Sequence, residues 1–222
     1  MAVLPDLPQT EIAIVELTNA FRKENELGAV TSHPALAAAA RAFAEYLART
    51  GTFAHEADGR EPQQRIEAQG YRHCLVAENL ALNLDSRGFA TAKLARDVVE
   101  GWKDSPGHRA NMLLAGATEI GVGVARAPDK HPKFISVQLL ARPEALKVEF
   151  RIENRTGGPV RYRMGESAHT LPVRTTVTHT SCSPRALAFE GAAAGPWQPA
   201  AGDRFVVRGE ARALRVEVER RR

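Results

Sequence analysis

The hydrophobic period changes part-way along this 222-residue chain, and that change limits the folds open to it. In the first half, apolar residues recur at helical spacing. Ile14, Leu17 and Phe21 mark the buried side of a helix expected over 10–26, with Thr10 as its N-cap and Gly28 as its stop. Pro34 opens a second helix, with Leu36, Ala40, Phe43, Ala44 and Leu47 on one face and Gly51 at its end. His33 stands where a cap would sit. A shorter helix is expected over 62–69, before Gly70. Leu94, Ala95, Val98, Val99 and Trp102 form the apolar stripe of another over 91–103. Ser105-Pro106 reads as an N-cap followed by a first-turn proline, opening a helix to about 113.

After Gly116 the spacing becomes two. Ile120, Val122 and Val124 alternate with small residues, as do Ile135, Val137 and Leu139, and Pro128-Asp129-Lys130 supplies turn chemistry between them. A two-stranded hairpin fits. Beyond Arg142-Pro143 only short alternating runs remain: Val148/Phe150/Ile152, Val160/Tyr162/Met164, Leu171/Val173, Leu187/Phe189, Phe205/Val207 and Leu214/Val216/Val218. Six short strands at this spacing predict a small antiparallel sandwich or barrel, with 191–202 as a long loop. The chain therefore reads as α+β: an extension over 1–9, a mixed domain over 10–143 and a small β domain over 144–222.

Charge follows the same boundary. Residues 1–143 hold 16 Lys and Arg against 17 Asp and Glu, whereas residues 144–222 hold 14 against 9, and 13 of those 14 are arginine. An anionic partner is expected at the second part. Arg151, Arg161, Arg163 and Arg174 alternate there with apolar positions. They read either as one basic face of the sheet or as a solvated surface interleaved with Glu149 and Glu153. As a docking face they would take an anionic polymer or lipid of the cell envelope. Few aromatics accompany them, which speaks against single-stranded nucleic acid. No apolar run is long enough to span a bilayer as a helix. Met1 to Leu7 lacks the basic and apolar regions of a signal peptide, so the leader of a secreted chain would lie outside this sequence. Two cysteines, Cys74 and Cys182, exclude a disulfide framework and a four-cysteine zinc site; they leave one bridge or two buried thiols.

Three residues carry candidate chemistry. Glu78 interrupts the apolar run Leu75-Val76-Ala77-Glu78-Asn79-Leu80-Ala81-Leu82. A buried carboxylate is costly unless paired, hydrogen-bonded or metal-bound. It is therefore a structural acceptor, a solvent-facing turn residue or a cleft acid. His108 falls in the first turn of the helix that Ser105 opens, where the helix dipole disfavours imidazolium. The neutral ring is the form that binds metal or acts as a base. His55 precedes the turn signal Asp58-Gly59 and sits on a loop. His73, His131, His169 and His179 read as solvent-facing. There is no nucleophile elbow, phosphate loop or Cys–His pairing. Gly121-Val122-Gly123-Val124 lies within a strand and lacks the third glycine of a dinucleotide fingerprint.

Taken in order, these segments resemble the bacterial branch of the CAP superfamily, the SCP-like or cysteine-rich secretory protein domains. Phe53-Ala54-His55, then Asp58-Gly59-Arg60-Glu61-Pro62, Arg65-Ile66 and Gly70-Tyr71, resembles the first histidine segment. Ala77-Glu78-Asn79-Leu80-Ala81 is similar to the Gly-Glu-Asn-Ile/Leu motif, with alanine in place of glycine. Trp102 to Leu113, containing Ser-Pro-Gly-His-Arg-Ala-Asn-Met-Leu, resembles the most specific signature, and Thr118 to Val124 the strand after it. The resemblance covers about 10–142. It implies an α-β-α sandwich with a cleft holding His55, His108 and Glu78. Animal and plant members carry a second cleft glutamate whose place here falls near Ser105. Several members hold a divalent metal between the two histidines, so zinc at His55 and His108 is an expectation but not a requirement.

Two functions then stand open. The first is a secreted or periplasmic binding module, its cleft facing a ligand and its basic β domain docking on the envelope. The second is a metal-dependent, protease-like hydrolase with Glu78 or a histidine as general base. The missing second acid favours binding. A third reading leaves the polar cluster with no role beyond holding the fold.

Overall fold

In the computed structural model, which describes residues 2–183, 185–210 and 213–220, the first helix starts earlier than its sequence signal. α1 spans Leu7–Glu24 and Asp6, not Thr10, is its N-cap: the Asp6 carboxylate accepts the Gln9 amide at 2.9 Å. Pro8 suits the first turn, where no intrahelical donor is needed, and this moves the start upstream. β1 (Thr31–Ser32) follows, then α2 (Pro34–Thr50), capped by the His33 ring and ended by Gly51 in the left-handed conformation. α3 is Pro62–Ala68, α4 Thr91–Asp104, α5 Pro106–Met112. Ser105 holds the N-cap position of α5, but its side chain makes no capping bond.

Between α3 and α4 lies β2 (His73–Leu84), a strand the alternation did not announce. Its apolar run is continuous because helices cover both faces of the sheet over much of its length, so neither face is marked by polar residues. β3 (Glu119–Arg126) and β4 (Lys133–Pro143) form the expected hairpin. The sheet order is β1-β3-β4-β2, with β1 parallel to β3 and the other pairs antiparallel.

Side-chain parity sorts two cores onto the two faces. Ile120, Val122, Val124, Phe134 and Leu140 face α1, α4 and α5. Ile135, Val137, Leu139, Ala141 and Leu80 face α2 and α3. Gly121 and Gly123 point the second way, and a Cβ on either would fall inside the α2 backbone, at Leu36–Ala37 and Ala40–Arg41 respectively. The glycine pair thus lets α2 lie directly on β3. The result is the α-β-α sandwich, contained in the unit Met1–Glu144.

The second unit, Ala145–Arg222, is all β. Its strands are β5 (Val148–Asn154), β6 (Val160–Met164), β7 (Ser167–Leu171), β8 (Thr176–Ser181), β9 (Leu187–Phe189), β10 (Arg204–Glu210) and β11 (Ala213–Glu219). They form two sheets, β11-β10-β5-β8 and β7-β6-β9, which share one core. Phe150, Ile152, Phe205 and Val207 come from the first sheet, and Tyr162, Met164, Leu187 and Phe189 from the second. A sandwich, not a barrel, is what this chain forms here.

Two features depart from the expected domain. β8, Thr-Val-Thr-His-Thr-Ser, has one aliphatic side chain and gave no apolar alternation. β10 runs parallel to β5, because the chain visits the other sheet between them. Neither Cys74 nor Cys182 is a free thiol; both are disulfide-bonded.

Candidate ligand-binding cleft

β2 is an edge strand, and the site is built around its exposed edge. Glu78 points to the α2–α3 face and is almost fully enclosed, its side chain 2 % exposed. Burial on this face would be prohibitive for a lone carboxylate. Arg65, on the inward side of α3 and 5 % exposed, meets it: Nη2 donates to Oε1 at 3.1 Å and to Oε2 at 2.9 Å. The same guanidinium donates to the His55 carbonyl (2.8 Å), the Arg60 carbonyl (2.7 Å) and Asp58 Oδ1 (2.8 Å), so it fixes the whole loop between α2 and α3. It lies 3.6 Å above the Phe43 ring.

His55 completes the group. Its Nδ1 is 2.8 Å from Glu78 Oε1. An ionised carboxylate can only accept, so Nδ1 carries a proton, and in the neutral ring Nε2 keeps a lone pair. The ring is half exposed, 52 % by side chain, beside a carboxylate that water barely reaches. Burial pushes the Glu78 carboxyl up; the His55 bond and the Arg65 charge pull against that.

His108 arrives from the opposite face of the sheet. Asn79, fully buried, donates through Nδ2 to the His108 carbonyl (3.1 Å) and to Gln138 Oε1 (3.0 Å), and accepts from Asn111 Nδ2 at 2.9 Å. Asn111 also donates to the Glu78 carbonyl at 3.1 Å, on the edge that β4 does not pair. The next outward carbonyl, Leu80, accepts from Trp102 Nε1 at 3.0 Å. Gln138 Nε2 continues the chain to Thr18 Oγ1 at 3.0 Å. This satisfied polar network ties α1, β4, β2 and α5 together and sets the position of His108. Burial first, and then the neighbouring His55, hold the His108 imidazole below its ordinary range. The His108 imidazole, biased toward its neutral form, therefore lies near His55 and one locked carboxylate.

The comparisons with known proteins agree with this architecture. The model of the cysteine-rich secretory protein family, CAP, matches residues 15–139. The chain belongs to this family. The uncharacterized protein YkwD of Bacillus subtilis (strain 168) is 31% identical over 114 residues, 51% of this chain and 41% of that protein, so the chain spans about two fifths of its relative's length. The fold is shared with an outer surface protein of Borrelia burgdorferi at a TM-score of 0.51 and 23% identity, covering 61% of this chain and 93% of that one. It is shared too with an extracellular SCP-domain protein of Bacillus anthracis str. Ames at a TM-score of 0.50 and 23% identity, over 61% of this chain and 41% of the other.

Within the CAP domain, the sequence-expected residues divide. His55 and Glu78 are in direct contact, and His108 is close enough for His55 to act on it. Ser105 is at the α4–α5 junction, where its carbonyl accepts the Arg109 amide; none of the bonds joining His55, Glu78, Asn79 and His108 reaches it. Arg65, Asp58, Asn79, Asn111 and Gln138 were not singled out from sequence. Arg65 had a signal: an arginine next to Ile66 on a short helix's inward side needs a buried acceptor.

The donor set falls short of a three-ligand zinc site. Both Glu78 oxygens are engaged, which leaves two imidazole nitrogens, whereas catalytic zinc takes three protein ligands. Among the described residues no three His, Cys, Asp or Glu side chains converge to hold an ion.

In the second unit the four arginines do not share a face. Arg151 is exposed on β5 of one sheet; Arg161 and Arg163 are exposed on β6 of the other. A sandwich turns those outer surfaces away from each other. Arg174 is in the turn between β7 and β8 with φ 56°. His169 and His179, expected in solvent, instead pack on Tyr162, whose hydroxyl is 2.7 Å from His179 Nε2.

Proposed function

We propose that this CAP-domain chain works outside the bacterial cell as a binding module, with the cleft at the β2 edge taking a polar, hydroxyl- or amide-bearing ligand from the cell envelope. The observation that carries this reading is the state of Glu78. Its side chain is 2 % exposed and both oxygens are held, so it orients His55 instead of acting as a base or a metal ligand. What remains open is the half-exposed His55 ring, which in its neutral form can accept from a ligand O–H or N–H, with His108 nearby. An extracellular place is supported by the Borrelia outer surface protein and the extracellular Bacillus anthracis protein of like fold. It is supported also by two bonded cysteines, a state that persists in oxidising compartments. No helix among the described residues is long and apolar enough to cross a membrane.

The metal-dependent hydrolase reading has less support, because Arg65 occupies the Glu78 carboxylate and leaves only a histidine as general base. Docking through one arginine face lacks the single face it needs.

The test is co-sedimentation of the full chain with purified peptidoglycan sacculi, with soluble fragments assayed in the supernatant. The expected result is sedimentation that falls in His55→Ala and His108→Ala without fragment release. Sedimentation that both variants retain would overturn the cleft reading. Chelator-sensitive fragment release would replace it with hydrolysis.

A further inference from the structure

A cavity of about 330 Å³ opens on the first unit between α2 and the segment leading through α3. His55 and Glu78 do not line it, and Arg65 forms part of its wall. Its walls are of two kinds. Phe43 and Tyr46 on α2 give an aromatic side. Arg49, Arg60 and Arg65 give three guanidiniums, against Asp58 as the one carboxylate among the described lining residues.

Asp58, with Glu78, pairs with Arg65, so the unpaired positive charge is that of Arg49 and Arg60. Asp58 Oδ1 is committed to Arg65 Nη1 at 2.8 Å and to the Arg60 amide at 3.2 Å. The Arg49 guanidinium stands 5.6 Å from the Tyr46 ring centroid, and Arg49 and Arg60 are exposed. Neither has a side-chain ion pair among those found in the described residues. Arg65 Nε is buried with no hydrogen-bond partner, although the other nitrogens of that guanidinium are all engaged. An orphaned buried donor is uncommon in a folded protein. Like charges around a concave, partly apolar wall repel one another and focus a positive potential into the space between them. An oxyanion relieves that repulsion, and the planar fork of each guanidinium can hold its oxygens in pairs. The volume suits a small molecule of about sugar size.

We propose that this cavity is a second binding site, for a small organic anion that carries a carboxylate or phosphate group on a body able to stack against Tyr46. It is separate from the cleft at the β2 edge and does not depend on what that cleft binds.

The test is heteronuclear NMR titration of the full chain with glucuronate, glucose 6-phosphate, inorganic phosphate and, as neutral control, glucose. Saturable shifts are expected at Tyr46, Arg49 and Arg60 with the charged probes and not with glucose, weakening as salt rises. The better of glucuronate and glucose 6-phosphate tells whether carboxylate or phosphate is the native group. Arg49→Ala and Arg60→Ala are surface changes that leave the fold intact; each is expected to weaken binding about ten- to a hundredfold, as for a lost charged hydrogen bond. His55→Ala is expected to leave it unchanged. Equal response to glucose, no saturation with any anion, or full binding in Arg49→Ala/Arg60→Ala would overturn the proposal. Loss in His55→Ala would place the anion in the cleft and overturn it as well.

Discussion

Arg65→Met separates the parts of the cleft most cleanly. Methionine keeps an unbranched apolar side chain over Phe43 and removes the guanidinium, which holds Glu78 and also the His55 carbonyl, the Arg60 carbonyl and Asp58. Wild-type Glu78 is 2 % exposed by side chain, and burial raises its carboxyl while His55 and Arg65 pull it back down. Removing one partner of such a pair leaves an uncompensated buried charge, which costs about 3–5 kcal/mol near neutral pH. The pH dependence gives the diagnosis. Burial already raises this carboxyl in the folded chain, and the variant raises it further. A carboxyl with a raised folded pKa carries its penalty above that pKa and sheds it as pH falls through it. The loss should therefore shrink from about pH 7.5 to about pH 5, by up to ~1.4 kcal/mol per unit crossed. Adding Glu78→Gln should remove the pH-dependent part of the loss and leave the part that comes from the lost loop bonds. The chain has two tryptophans, so urea unfolding can be followed through buried Trp102 in a Trp197→Phe background. A loss below about 1 kcal/mol, or one that is the same at both pH values, would refute the claim that Arg65 keeps a buried carboxylate charged.

Three other outcomes follow from the same structure. Gly121→Ala should cost about 3 kcal/mol or abolish folding, because the new methyl meets α2 backbone and not a movable side chain; wild-type stability by denaturant titration would contradict it. His108 and His179 are both held below the ordinary histidine range, chiefly by burial, so the unfolded chain binds their protons first. Their contribution is whole above about pH 6.5 and is lost on acidification, and His179→Gln should flatten the fall in melting temperature between about pH 7 and 5; an unchanged slope would count against it. Dialysis against a chelator should leave the melting temperature of the first unit unchanged, since two imidazoles are short of a zinc site; a drop of several degrees restored by zinc would show a third ligand.

How much of this was legible depends on what each residue reports. Helices that present one apolar stripe, such as α2 and α4, could be read almost to their ends, because one face is wet and the other dry. β2 could not, because much of it is covered on both sides, and β8 could not, because threonine supplies β propensity without apolar contrast. The same limit applies to the site. His55, Glu78 and His108 were found through the order of family segments, since 23 and 30 residues of separation match no local metal or catalytic spacing. What sequence order could not say is which role Glu78 has. That role is decided by Arg65, 13 residues away and one helix removed, which occupies the carboxylate from beneath. An acid that looks catalytic in a motif thus becomes, with its partner in place, the part that aims an imidazole. The arginines of the second unit make the converse point. Alternation correctly put Arg151, Arg161 and Arg163 outward, but only the sheet order, β11-β10-β5-β8 against β7-β6-β9, shows that outward means two different directions. The surface that concentrates unneutralised arginine around a cavity lies instead in the acidic first part of the chain, where net charge gave no reason to look.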